Sequence, residues 1–230
     1  MLLSGFVSPS EPTMARYSRD GETASILALA PVIPVLTVSG VEDGLAQAKA
    51  LTAGGLFAIE VTLRTPSALA AIKAIAEEVP DAVVGAGTIV SADQIDEAVA
   101  VGARFLVSPG ASPDLARAAA ASPVPFLPGC ATASEAMALR DLGFRALKLF
   151  PAEAVGGARL LASLAAPLPD LRFCPTGGID LSRAPDYLRL PNVACVGGSW
   201  MLPKDALRRG DYIVVEGLAR EAAALARAPG

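Results

Sequence analysis

One stretch of the sequence organises the rest: Arg145-Ala146-Leu147-Lys148-Leu149-Phe150-Pro151-Ala152-Glu153, a short apolar run with a lysine at its centre. The chain has four lysines against fifteen arginines, so a simple need for positive charge would more often have been met by arginine. The other three, Lys49, Lys73 and Lys204, lie in helix-like or loop stretches where charge is solvated. Lys148 is the exception, because an ammonium ion is costly to place in apolar surroundings.

Lys148 admits two interpretations. The loss of ammonium solvation in an apolar strand favours a neutral amine, which is a nucleophile able to form a Schiff base with a carbonyl. The alternative is a structural lysine that extends to the end of its strand or pairs with a buried acid. The stretch alone leaves these two interpretations evenly balanced.

The segments around this run repeat one pattern, in which short β-branched or apolar stretches alternate with stretches of helical spacing. The predicted strands cover residues 32–38, 56–63, 82–87, 104–107, 125–127, 146–150, 171–174 and 193–196. The predicted helices cover residues 21–30, 41–53, 66–78, 91–101, 157–164, 181–190 and 211–227, with two more that begin near residues 113 and 132. This order predicts an α/β fold, a single (β/α)₈ TIM barrel with an N-terminal lead-in helix. A doubly wound sheet is the alternative.

We expect two regions, a loose N-terminal extension over residues 1–20 and a barrel domain over residues 21–230, since no linker or change of composition divides the latter. The first thirteen residues contain no Lys or Arg and no long apolar segment, so they do not resemble a signal peptide. No run of about 18 apolar residues occurs in the chain, so no membrane span is predicted.

Composition excludes several kinds of chemistry. The 230 residues contain no histidine, which removes Ser-His-Asp and Cys-His catalysis and histidine metal ligands. The net charge is −4 without a basic block, so a nucleic-acid surface is not predicted. The three cysteines, Cys130, Cys174 and Cys195, have no CxxC spacing and are predicted to be reduced, buried thiols of a cytoplasmic protein.

The active site of a barrel lies at the carboxyl ends of its strands. Glu60, Thr62 and Arg64 alternate along the second predicted strand and therefore point to one side. Lys148 and Phe150 share a face of the sixth strand for the same reason. If both faces line the interior, a carboxylate, a guanidinium and an amine meet in one pocket, which is a suitable set for an oxo acid.

Each of these side chains also has a structural interpretation. Burial between Ile59 and Val61 suits Glu60 to proton transfer, and the less favoured alternative is a structural counter-ion for Lys148 or Arg64. Arg64 could bind a carboxylate through both nitrogens of its planar group, or it could be a surface arginine at a strand end.

Hydroxyls and glycines follow other predicted strands. Thr88 and Thr176 stand at the ends of strands three and seven, where threonine often only caps a turn. Two glycine-rich turns follow strands seven and eight, the positions at which barrels often bind phosphate, and they consist of Thr176-Gly177-Gly178 and Gly197-Gly198-Ser199.

Five of these segments together resemble the 2-keto-3-deoxy-6-phosphogluconate (KDPG) aldolase family, also described as bifunctional 4-hydroxy-2-oxoglutarate aldolases. They are Ile59-Glu60-Val61-Thr62-Leu63-Arg64-Thr65, Val84-Gly85-Ala86-Gly87-Thr88, Leu147-Lys148-Leu149-Phe150-Pro151-Ala152-Glu153, Arg172-Phe173-Cys174-Pro175-Thr176-Gly177-Gly178-Ile179 and Gly197-Gly198-Ser199-Trp200. The resemblance runs in order over residues 26–227. Two departures stand out: Leu149 where an aromatic is common, and Cys130-Ala131 in place of an Ile-Ser pair.

The resemblance implies a class I aldolase without metal or cofactor, on a barrel that forms a homotrimer. It implies that Lys148 is the Schiff-base lysine and Glu60 the general acid-base. The implied binding residues are Arg64, Thr88 and nearby Thr176 for the substrate carboxylate, Phe150 for an aromatic wall, and Gly177, Gly178, Gly198 and Ser199 for phosphate.

The implied reaction is cleavage of KDPG, a small 2-keto acid sugar phosphate, to pyruvate and glyceraldehyde 3-phosphate, with 4-hydroxy-2-oxoglutarate as a further substrate. Three alternatives remain at this point: an aldolase for the galactonate epimer, another phosphate-binding barrel enzyme such as an isomerase or decarboxylase, and a barrel that binds a phosphorylated ligand without catalysis.

Overall fold

A computed structural model describes residues 13–226 of the chain, with side chains from residue 21 onward, as an α/β fold around a curled parallel sheet. Its strands in this range are β1 (Val32–Leu36), β2 (Ala58–Thr62), β3 (Val83–Gly87), β4 (Leu106–Val107), β5 (Phe126–Leu127), β6 (Gly129–Cys130), β7 (Ala146–Leu149), β8 (Arg172–Pro175) and β9 (Val196–Gly198). Its helices are α1 (Thr13–Ala28), α2 (Val41–Ala53), α3 (Ala68–Glu78), α4 (Ala92–Ala100), α5 (Pro113–Ala121), α6 (Ala133–Asp141), α7 (Gly157–Ala165), α8 (Ala184–Leu188), α9 (Lys204–Arg209) and α10 (Tyr212–Ala223), with a 3₁₀ turn at Glu153–Val155. None of these helices combines the length and hydropathy needed to cross a bilayer.

The strands form two parallel sheets, one in the order β5-β4-β3-β2-β1-β9 and one in the order β6-β7-β8. Isolated bridges join Phe173 to Val193 and Thr176 to Gly197, between β8 and the segment that contains β9. At the opposite edges of the two sheets, only Pro128 lies between β5 and β6. Its carbonyl oxygen accepts a hydrogen bond of 2.9 Å from the Lys148 backbone amide.

The structure confirms the predicted alternation of strands and helices but changes several boundaries. The fifth predicted strand, residues 125–127, corresponds to β5, and a further short strand, β6, that was not predicted follows it. Pro128 separates the two strands, because it has no backbone N–H to donate to a ladder. The last predicted strand, residues 193–196, is shifted: β9 includes Gly197 and Gly198, which pair with Ile33 and Pro34 of β1. These two glycines therefore lie in a strand rather than in a turn after it.

The ends of the chain differ from the prediction as well. Helix α1 begins at Thr13 rather than near residue 21, and α10 ends at Ala223 after an additional short helix, α9, that was not predicted. Residues 1–12 of the predicted extension, and residue 227 at the end of the predicted last helix, lie outside the described residues.

A small apolar cluster occupies the inner side of the curled sheet and orients the residues above it. Its buried members come from the end of α1 and from most of the strands or their flanks: Leu27, Ile33, Ala58, Phe105, Val107, Leu127, Ala146, Cys174 and Cys195. Because side chains alternate along a strand, Glu60 faces the same side as Ala58, and Lys148 the same side as Ala146. The cluster therefore lies beneath both charged side chains, and we call it the floor of the interior.

Helices α2 and α10 pack closely at Gly54, and this contact generates a prediction. A methyl group on Gly54 would overlap Ala219 and lie 2.7 Å from the Glu216 carbonyl oxygen, so Gly54→Ala should lower the free energy of unfolding by about 1–3 kcal/mol. Gly217 in α10 is the matched control, because a methyl group there meets nothing within 4 Å. Gly217→Ala should raise the free energy of unfolding by about 0.5–1 kcal/mol. Urea titration of both variants measures the two effects, and equal effects would contradict the close packing.

Candidate active site

The central pair of the site is Lys148 and Glu60, two charged side chains from β7 and β2. The Lys148 Nζ lies 3.1 Å from Glu60 Oε1 and 3.3 Å from Oε2, so the amine donates to the carboxylate. Lys148 is 4% exposed and Glu60 is 3% exposed. This contact agrees with the prediction that the two side chains meet, and it leaves both the catalytic and the counter-ion interpretations of Glu60 possible.

Glycine provides the space that Glu60 occupies. Gly87 ends β3 beside β2, and a methyl group on it would overlap the Glu60 carboxylate. Gly129 of β6 stands opposite Lys148 in the ladder. The missing side chain of Gly87 leaves room for the Glu60 carboxylate beside Lys148, whereas a methyl group on Gly129 would overlap the Pro109 backbone.

Phe150 connects the lysine to the glycine-rich loop after β8. Its ring centroid lies 5.5 Å from Lys148 Nζ, within the range of a cation–π contact. A methyl group on Gly177 would lie 3.4 Å from Phe150 Cε2, so the ring also packs against this loop. Phe150 therefore contacts both the Lys148 amine and the loop after β8.

Arg64 and Thr88 form a second polar pair at the carboxyl ends of β2 and β3. The Arg64 Nε donates to Thr88 Oγ1 over 3.0 Å, and Arg64 is exposed. Thr88 has φ of 63°, a left-handed conformation that is rare for a β-branched residue. Since Gly87 touches Glu60 and Thr88 follows it, this pair lies next to the carboxylate of the central pair. Arg64 is hydrogen-bonded to Thr88, whereas the ion pair of Glu60 is with Lys148.

The predicted glycine cradle has two sides. Thr176 is buried at the end of β8 and pairs with Gly197, where a methyl group would overlap the Thr176 hydroxyl. Gly177 and Gly178 follow with φ of 107° and 78°, a run that requires glycine. Across from them, Gly198 ends β9 and Ser199 is exposed. The loop and the end of β9 thus meet where the sequence placed a phosphate site.

The three thiols are buried, as predicted. Burial, with the Glu135 carboxylate as a smaller cause, raises the pKa of Cys130 to about 12, which keeps that thiol protonated and unreactive. Among the described residues, no group of three or more cysteine, aspartate or glutamate side chains is placed to hold a metal ion.

Comparison with known proteins shows the family of the chain. Residues 23–218 match the family model described as "Aldolase: KDPG and KHG aldolase". The chain belongs to this aldolase family. The KHG/KDPG aldolase of Escherichia coli K12 is 50% identical over 198 residues, which are 86% of this chain and 93% of that protein.

Two solved structures of KDPG aldolases are similar to the chain. The Legionella pneumophila enzyme, solved with pyruvate captured as a covalent carbinolamine, is 41% identical with a TM-score of 0.85, over 87% of this chain and 98% of that one. The Zymomonas mobilis enzyme, solved with 3-phosphoglycerate, is 48% identical with a TM-score of 0.83, over 89% of this chain and 96% of that one.

Two features of this aldolase site were missed by sequence reasoning. Gly87 was noted only as part of the segment Val84-Gly85-Ala86-Gly87-Thr88, although the Glu60 side chain from the adjacent strand β2 needs the space that this glycine leaves. Glu153 closes the lysine motif and was given no role, yet its side chain accepts a hydrogen bond from the Tyr187 hydroxyl of α8. No local signal links Glu153 to a tyrosine so distant in the sequence.

The space beside Glu60 gives a prediction. Gly87→Ala should lower kcat by about 100-fold, because the added methyl group displaces the carboxylate from Lys148. Gly110→Ala is the control, since a methyl group there has no neighbour within 4 Å. Steady-state aldol cleavage by both variants is the measurement, and full activity of Gly87→Ala would show that Glu60 does not need this space.

The backbone conformation of Thr88 gives another prediction. Thr88→Gly and Thr88→Val both remove the hydroxyl that accepts from Arg64, but only glycine relieves the left-handed conformation. The glycine variant should therefore be more stable than the valine variant by about 1–2 kcal/mol. Urea unfolding of the two proteins measures this difference, and a more stable valine variant would contradict the strained conformation.

Proposed function

We propose that the protein is a class I aldolase that cleaves KDPG to pyruvate and glyceraldehyde 3-phosphate, with 4-hydroxy-2-oxoglutarate as a second substrate. The observation that carries the proposal is the buried contact between Lys148 and Glu60 in a chain of the KDPG and KHG aldolase family. It is supported by the Legionella relative, whose covalent carbinolamine with pyruvate is an intermediate of Schiff-base formation.

In the first stage Lys148 is the nucleophile. Transfer of its extra proton to Glu60 frees the amine, which adds to the C2 carbonyl carbon of the 2-keto acid while the carbonyl oxygen takes up a proton. Loss of water from this carbinolamine, with Glu60 as the acid, gives a protonated imine. The short distance between the two groups allows this proton transfer without a histidine.

In the second stage the imine accepts electrons. Glu60, directly or through a water molecule, removes the proton of the C4 hydroxyl, and the C3–C4 bond breaks with its electron pair passing into the imine. Glyceraldehyde 3-phosphate leaves, and an enamine remains on Lys148. The protonated Glu60 returns its proton to C3, and hydrolysis of the imine releases pyruvate and restores the amine.

The other residues of the site bind the substrate in this proposal. Arg64 and Thr88 hold the substrate carboxylate, with Thr176 nearby, because a guanidinium and a hydroxyl are suitable donors to it. Phe150 covers the apolar side. The phosphate binds to backbone groups of Gly177, Gly178, Gly198 and Ser199, and the 3-phosphoglycerate in the Zymomonas structure supports an anion of this kind.

We also propose that the two sheets close into one (β/α)₈ barrel within the domain of residues 21–230. The bridge from Thr176 to Gly197 and the hydrogen bond from Lys148 to the Pro128 carbonyl support this closure. An experimental structure with either contact broken would oppose it.

For the assembly and its location, the family resemblance supports a cytoplasmic homotrimer. Sedimentation of the purified protein should give three times the chain mass, and cell fractionation should place it in the cytoplasm. A monomeric mass or a membrane fraction would contradict these proposals.

Covalent trapping tests the mechanism. Borohydride reduction in the presence of pyruvate should add one pyruvyl unit to the protein, on the peptide that contains Lys148. Lys148→Arg should form no adduct and lose at least about 10⁴-fold in kcat, because arginine does not supply a neutral amine. Lys73→Arg, at a surface ion pair with Glu77, is the control and should remain fully active. An adduct on another lysine, or turnover by Lys148→Arg, would overturn the proposal.

A further inference from the structure

A cluster of three side chains lies behind the glycine loop and outside the reaction described above. Tyr187 of α8 donates its hydroxyl to Glu153 Oε1, and the Arg183 Nε stands 3.8 Å from Glu153 Oε2. Glu153 begins the 3₁₀ turn that follows the lysine strand β7. The cluster therefore joins the segment that carries Lys148 to the helix that follows the glycine loop.

The cluster also holds the glycine loop itself. The Glu153 backbone amide donates to the Gly177 carbonyl over 3.1 Å, and Arg183 Nη1 donates to the Gly178 carbonyl over 2.9 Å. A methyl group on Gly178 would lie 2.8 Å from Glu153 Cγ. The loop is thus held by hydrogen bonds to its Gly177 and Gly178 carbonyl oxygens and by packing of Gly178 against the Glu153 side chain.

These contacts fix the direction of the loop amides. In a trans peptide the C=O and the following N–H point in opposite directions. Since the Gly177 carbonyl points at Glu153, the Gly178 N–H points away from Glu153. Since the Gly178 carbonyl points at Arg183, the Ile179 N–H points away from Arg183. Two successive amides are in this way turned outward from the cluster, as an anion site requires.

The cluster is suited to hold a fixed geometry. Tyr187 is 1% exposed, and burial together with the Glu153 carboxylate raises its pKa, so that its hydroxyl remains a donor at any working pH. A hydrogen bond from a buried phenol to a carboxylate is strong and directional. Arg183 is about half exposed and can be changed without opening the core.

We infer that Glu153, Tyr187 and Arg183 are positioning residues, which hold the Gly177–Gly178 loop in the shape that binds the substrate phosphate. This inference rests on the proposed function, in which the loop takes the phosphate of KDPG. The Arg183 and Glu153 side chains contact Gly178, and Tyr187 holds the Glu153 carboxylate. None of the three takes part in the proposed reaction steps. Their loss should weaken binding of phosphorylated substrates while the covalent chemistry of Lys148 continues.

The experiment compares two substrates of the same enzyme. Tyr187→Phe and Arg183→Ala should each raise KM for KDPG by about tenfold, the factor that a lost hydrogen bond at a charged site produces. Their kcat/KM for 4-hydroxy-2-oxoglutarate, which carries no phosphate, and their rate of borohydride trapping with pyruvate should stay within about twofold of the parent. Glu153→Gln should behave like Tyr187→Phe.

Tyr212→Phe is the matched control, because Tyr212 also donates to a carboxylate, Asp43, but joins α10 to α2 instead of holding the loop. Tyr212→Phe should change neither the KM for KDPG nor the kcat/KM for 4-hydroxy-2-oxoglutarate. An unchanged KM for KDPG in Tyr187→Phe and Arg183→Ala, or an equal loss with both substrates, overturns the positioning role even if the parent is a normal aldolase.

A parent that does not cleave KDPG would instead overturn the proposed function. In that case calorimetry with inorganic phosphate still decides the inference: weaker phosphate binding by Tyr187→Phe and Arg183→Ala than by Tyr212→Phe supports an anion site held by the cluster, and equal binding overturns it.

Discussion

The structure depends on one buried ion pair, Lys148 with Glu60. Two charged groups less than 5% exposed are tolerable only together, since removal of one partner from such a pair typically costs about 3–5 kcal/mol. Their strands are far apart in the sequence and belong to different sheets, so the pair forms only when the two sheets curl so that β2 and β7 face each other. The contact between Lys148 and Glu60 therefore requires this curvature.

The pair also explains where the small residues lie. Beneath it, alanines at positions 58 and 146 keep the floor of the interior narrow and apolar. Beside it, Gly87 leaves room for the carboxylate, and Gly197 leaves room for the Thr176 hydroxyl. Because the interior is closely packed, a polar side chain fits there only where the neighbouring strand leaves the adjacent position without a side chain. Adjacent strands thus share the limited interior space, because one strand supplies a polar side chain where its neighbour has glycine.

Much of this was predictable, because it depends on local periodicity. The alternation of strands and helices, the shared face of Glu60 and Thr62, and the start of a helix near residue 132 follow from spacing over a few residues. The boundaries that failed depend on partners elsewhere. Gly197 and Gly198 look like a turn in isolation, but β1 provides a neighbouring strand for them to pair with. Pro128 marked the end of the fifth predicted strand, but the two-residue strand β6 after it and the short helix α9 gave no periodic signal of sufficient length.

The sequence by itself determined the elements, their order, and the chemistry available: a lysine in an apolar strand, a buried glutamate, and no histidine. It also determined the family, because several motifs occur in one order along the chain. Only the tertiary structure decided that Lys148 pairs with Glu60 while Arg64 binds Thr88. It also decided that Tyr187 bonds to Glu153, which packs against the glycine loop. These choices depend on distances between strands and helices that are remote in sequence, and such distances are set by the packing of the whole sheet and not by the pattern of any segment.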